Sequence, residues 1–181
     1  MTEVWHLLFF CLLCVSIFMW DMLYRRVPNW VVVVAMVIQV LFLAIFSGES
    51  LYPTNDSVAA MTGLIAGLLV FVPFYAFKAM GAGDVKFFAV LGFWLGPTAL
   101  VPIWVMGSLI AGIHALCVMA SESLAFFLAR NFLRSILARV SLLSKWQRLV
   151  IRIETARNGR QGIPYAAYLS VGALGFLAWN Y

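Results

Sequence analysis

The stretch KAMGAGDVKF, Lys78 to Phe87, sets one carboxylate, Asp84, behind two glycines and between two long apolar runs. A second carboxylate, Asp21, ends another apolar run in WDMLYRRVPN. Two carboxylates in a partly dry site resist joint ionisation, so such a pair shares one proton. The ionised member then takes a proton from water while the protonated one polarises a carbonyl oxygen, the division of labour an aspartic protease needs to cut a peptide bond. Whether Asp21 and Asp84 meet depends on how their helices pack, which a single sequence leaves open.

Each acid also has a purely structural use. Asp21 and Arg25 are i,i+4 neighbours, placed for a surface ion pair of small value, with Pro28-Asn29 turning the chain into the next helix. Asp84 is a natural N-cap for the helix that follows it. Gly81 and Gly83 tip the balance toward chemistry, since an ordinary cap needs neither. They permit left-handed backbone angles and a close approach by another chain. If the two acids converge, the dipoles of their own helices make them unequal: a helix C-terminus disfavours the Asp21 anion, and a helix N-terminus favours that of Asp84. Asp84 is therefore expected to be the more acidic member. Lys86, two residues beyond it, is either an interface lysine with its ammonium drawn toward water or a supporting residue that orients a substrate carboxylate.

The remaining titratable residues read as structural. Cys11 and Cys14 have CxxC spacing, but inside an apolar run they lack the polar partners and approach path of a metal or redox site; Cys117 is equally isolated. His6 and His114 stand apart from other ligand types. No metal and no cofactor is expected.

The elements that must carry Asp21 and Asp84 are membrane helices. Of 181 residues, 65% are hydrophobic and only 10% charged, where soluble domains approach a quarter, and the mean hydropathy is +1.01. The reading is an all-α, polytopic integral membrane protein forming one domain over 1–181. Its six helices fall at about 4–20, 30–47, 57–77, 85–95, 98–128 and 163–179, against the ~20 apolar residues a hydrocarbon core requires. The first run has no basic segment before it and no small-residue cleavage site after it, so it reads as a retained helix and not a signal peptide.

Orientation follows from Lys and Arg, which cytoplasmic loops retain. Arg25 and Arg26 separate helices 1 and 2, Lys78 and Lys86 flank the connection from 3 to 4, and the other basic residues lie between Arg130 and Arg160. Six crossings put these loops on one side, with both termini outside. Asp21 and Asp84 then share the cytoplasmic face. The break between helices 4 and 5 is placed at Gly96-Pro97-Thr98 and not near Gly107-Ser108, because the later break would hold Glu122 in hydrocarbon at a few kcal/mol. Helix 4 then has about 12 residues, ~18 Å, too short for a full crossing.

Between 130 and 160 the chain is basic and amphipathic. Arg130, Arg134, Lys145, Arg148 and Arg152 share a sector of a helical projection, with Arg139 outside it. This predicts a helix on the inner membrane surface bound to anionic lipids. Nucleic-acid binding, the other use of such a run, is set aside because the apolar face demands a membrane.

At these residues the chain resembles the type IV prepilin peptidases, a family of GxGD aspartyl proteases of the bacterial inner membrane. GAGDVK, Gly81 to Lys86, resembles the family's second aspartate motif. Asp21 followed by Arg26-Val27-Pro28-Asn29 resembles its first, and GIPYAAYLSVGAL, Gly162 to Leu174, the start of its last helix. The resemblance implies that Asp21 and Asp84 are the catalytic pair, that Gly81 and Gly83 shape the active-site loop, and that the substrates are pilin-like precursors. These lose a short basic leader at the cytoplasmic face. Larger members carry paired CxxC motifs in a cytoplasmic insertion and also N-methylate the new terminus; the loop from Asp21 to Trp30 is too short for that and has no cysteine, so cleavage without methylation is expected. The compact form resembles the peptidases of tight-adherence (Flp) pilus systems more than the related preflagellin peptidases. Two other readings stay open. One is a non-enzymatic membrane component of a pilus or secretion assembly, with Asp21 paired to Arg25 and Asp84 a cap. The other is a presenilin-type or signal-peptide-peptidase-type intramembrane protease, against which the small helix count and the absence of a tyrosine before Asp21 argue.

Overall fold

A computed structural model describes residues 2–45, 57–121 and 164–180. They form six α-helices: α1 (Thr2–Tyr24), α2 (Asn29–Ile45), α3 (Ser57–Ala76), α4 (Ala82–Leu95), α5 (Pro97–Ser121) and α6 (Tyr165–Asn180). Three of these, α1, α3 and α5, are long and apolar enough to cross a membrane; α2 is apolar but shorter. The basic segment 130–160 and Glu122 lie outside the described residues, as does the rest of the long fifth helix expected to reach residue 128.

The outer helices bury one apolar face and expose another. On α1, Phe10, Cys14, Ile17 and Asp21 recur at helical spacing and are buried, whereas Leu8, Leu12, Val15 and Met19 are exposed. An apolar exposed face suits lipid and not water. In such surroundings helices are held together by close packing and hydrogen bonds more than by removal of apolar surface from water.

Helix α4 forms the centre. Every residue from Phe87 to Leu95 is buried, because α2, α3, α5 and α6 all pack around it. Two glycine-lined crossings bring backbones together. A Cβ at Gly63 of α3 would collide with the backbone of Gly92 on α4, and one at Gly67 would lie 2.8 Å from the Ala89 Cα. Gly63 and Gly67 have the GxxxG spacing that lets membrane helices approach closely. On the far side, a Cβ at Gly172 of α6 would lie 2.8 Å from the Ile103 carbonyl oxygen of α5.

The Gly-Pro break stands where the sequence places it. Gly96 adopts φ 80°, its N–H donates to the Gly92 carbonyl at 2.8 Å, and Pro97 opens α5. Positive φ suits glycine, and proline suits a first helical turn. Helix α4 begins earlier than expected, at Ala82, giving 14 residues and a length of about 21 Å, still short of a ~30 Å core.

His6 sits in a core position. Its Nε2 lies 2.7 Å from Gln39 Oε1, and its ring stacks on Trp94 at 4.7 Å. Gln39 Nε2 donates to the Phe93 carbonyl at 3.3 Å, and Trp94 Nε1 to the Ala35 carbonyl at 3.3 Å. This polar cluster ties α2 to α1 and α4, and in an apolar interior each pairing avoids an unsatisfied group.

Candidate active site

Asp21 lies in the last turn of α1 on the face that also buries Phe10 and Ile17, and is only 4% exposed. Its Oδ2 accepts the backbone N–H of Ala167 at 3.0 Å. Ala167 is in the first turn of α6, where N–H groups have no intrahelical acceptor and point outward. A helix N-terminus is a favourable place for an anion. The C-terminus of α1 and the N-terminus of α6 thus meet at one carboxylate.

Asp84 is the third residue of α4, not its N-cap. The cap is Gly81, with φ −76° and ψ 147°. Asp84 Oδ2 reaches back to accept the Gly81 N–H at 3.2 Å, which is half of a capping box. The structural use foreseen for Asp84 is therefore present in altered form, one turn inside the helix. That placement points the carboxyl toward α1 and α6: Asp84 lies within electrostatic reach of Asp21, and both carboxylates are within reach of the Ala166 N–H.

The expectation for the two acids weighed only the dipole of each acid's own helix. Helix α6, distant in sequence, also supplies Asp21 with the amide of Ala167.

The glycines act through space and not through unusual backbone angles. Gly81 is extended, and among the described glycines only Gly96 has positive φ. A Cβ at Gly81 would lie 3.1 Å from Asp84 Oδ2, so glycine there leaves room for the carboxylate to fold back. A Cβ at Gly83 would lie 3.1 Å from the Val27 Cβ. Gly83 therefore seats the turn that follows Asp21 directly on the start of α4. Lys86 makes a second link between the same segments, its Nζ donating to Asn29 Oδ1 at 3.1 Å. That bond gives the ammonium a protein partner, which neither expectation for Lys86 included.

Arg25 N–H donates to the Asp21 carbonyl at 2.9 Å with φ 52°, ending α1 in a left-handed residue. The guanidinium is close enough to favour the Asp21 anion, yet no direct ion pair between the two is found among the described residues.

Sequence reasoning placed GIPYAAYLSVGAL at the start of the last helix but gave its first turn no part in the site. Besides Ala166 and Ala167, it supplies Tyr165, whose hydroxyl is 2.7 Å from Ser108 Oγ, either atom donating, and which lies within electrostatic reach of Asp84. The PYAAY sequence gave no local sign of this, because the relevant donors are main-chain amides that any residue but proline carries.

The model of the type IV leader peptidase family matches residues 8–116, more than half of the chain and a span that contains both aspartates. The chain belongs to the type IV leader peptidase family. No curated protein and no solved structure matches the chain. Membership in a leader peptidase family implies a peptidase acting on prepilin-like substrates. The match ends before α6, so the contribution of Ala166 and Ala167 to this leader peptidase rests on the geometry alone.

Proposed function

We propose that this leader peptidase is an aspartyl endopeptidase with Asp21 and Asp84 as its catalytic pair, removing short basic leaders from type IV prepilin-like precursors without N-methylation. The observation that carries this reading is the convergence of the two carboxylates, from α1 and α4, on the first turn of α6. Capping α4 does not require a buried partner acid, so the non-enzymatic reading leaves that convergence without a purpose.

In the reaction, Asp84 holds the shared proton, and Asp21, which accepts the Ala167 N–H, is the anion. Asp21 accepts a proton from the attacking water, while Asp84 donates to the carbonyl oxygen of the scissile bond. The proton gained by Asp21 then passes to the leaving amine. Gly81, Gly83 and Lys86 hold α4 and the turn after Asp21 in register, which keeps the pair at working distance.

The site belongs at the cytoplasmic boundary of a bacterial inner membrane, with six crossings and both termini outside. Basic residues on either side of it, Arg25, Arg26, Lys78 and Lys86, support that orientation. A leader held in water and a pilin helix held in lipid would then meet at the short α4. The segment 130–160 is read as an anchor to anionic lipids. The compact, cysteine-free loop after Asp21 favours a tight-adherence pilus system. Co-expression with a candidate prepilin tests the assignment: the leader should be lost with the native chain and kept with Asp21→Asn or Asp84→Asn.

A further inference from the structure

Two buried polar atoms beside Asp21 have no hydrogen-bond partner among the described residues: the hydroxyl of Tyr168 and Nε of Arg25. Tyr168 is only 5% exposed, and its hydroxyl lies within electrostatic range of both Asp21 and Arg25. An orphaned buried polar group is destabilising and calls for an explanation. Arg25 adds a second irregularity, since its φ of 52° is the conformation in which helices usually end on glycine. A residue with a side chain kept in a left-handed conformation at a site of chemistry points to a use for that side chain.

What the two groups offer is specific. Arg Nε–H is a donor only, and the tyrosine hydroxyl donates readily. Two donors, one of them cationic, fit an oxygen acceptor. Their place beside Asp21 puts that oxygen next to the bond to be cut, where a bound peptide presents main-chain carbonyls on both flanks.

We propose that Arg25 and Tyr168 form a substrate subsite that receives a main-chain carbonyl oxygen of the precursor adjacent to the scissile bond. The subsite rests on the endopeptidase reading above and extends it, because the catalytic pair needs the peptide held in a fixed pose.

Tyr168→Phe removes the hydroxyl while keeping the ring and its packing. Cleavage of a precursor peptide by the full chain in lipid vesicles should fall about tenfold in kcat/KM, as loss of one hydrogen bond to substrate predicts. Thermal stability should stay level or rise, because the free protein loses an unsatisfied group. Arg25→Lys, which keeps the charge but lacks Nε, should show the same pairing of weaker cleavage and retained stability. In an Asp84→Asn background, precursor binding should weaken when Tyr168→Phe is added. Unchanged kcat/KM in Tyr168→Phe overturns the subsite, as does a loss of stability with unchanged kinetics, which would assign the hydroxyl to an internal water. Failure of the native chain to cleave any precursor overturns the endopeptidase reading and the subsite with it.

Discussion

Asp21 in the last turn of α1 accepts the backbone N–H of Ala167 in the first turn of α6, at 3.0 Å and across 146 positions of sequence. This bond brings the end of one helix to the start of another at a carboxylate. Asp84 accepts the N–H of its own helix cap, Gly81.

The donor is a main-chain amide, so side-chain substitutions at Ala167 leave it in place, but Ala167→Pro removes it. First-turn amides have no intrahelical acceptor, so proline there spares the hydrogen-bond ladder of α6. Leader cleavage by Ala167→Pro is expected to fall at least about tenfold, with helical content by circular dichroism unchanged. Equal activity would show that Asp21 does not depend on α6.

A pair that shares one proton sets a pH dependence of activity. Cleavage needs one carboxylate and one carboxylic acid, so kcat/KM should fall on the acid side as both are protonated and on the alkaline side as both ionise. A pH–rate profile of leader cleavage measures both limbs.

Gly83 and Val27 join the two aspartate segments by contact. A methyl at Gly83 would lie 3.1 Å from the Val27 Cβ, tighter than ordinary packing, so Gly83→Ala should destabilise by about 1 kcal/mol and depress cleavage. Val27→Ala makes room for it. The double variant should recover part of the loss, and a double-mutant cycle measures the coupling, with about 0.5 kcal/mol or more expected for residues in contact.

Much of the fold was legible because it depends on local chemistry. The Gly96-Pro97 break follows from the backbone preferences of two residues, and the apolar runs from the length a membrane demands. The candidate acids were legible as the two carboxylates left at helix ends on one inferred face. Their meeting was not, since it depends on α6 inserting its first turn between α1 and α4. The donor to Asp21 was hidden for the same reason: the dipoles of α1 and α4 are readable in sequence, and the amide of Ala167 is not. Gly63 and Gly67 differ. Their GxxxG spacing is readable in the sequence and marks the α3 to α4 crossing.

That Asp21 and Asp84 act together is tested most directly by co-expressing a prepilin-like precursor with the native chain, with Asp21→Asn and with Asp84→Asn, and following leader loss by mass spectrometry. The leader should be removed by the native chain alone, with both variants still present in the membrane at native levels. Removal by either variant would contradict a two-carboxylate site.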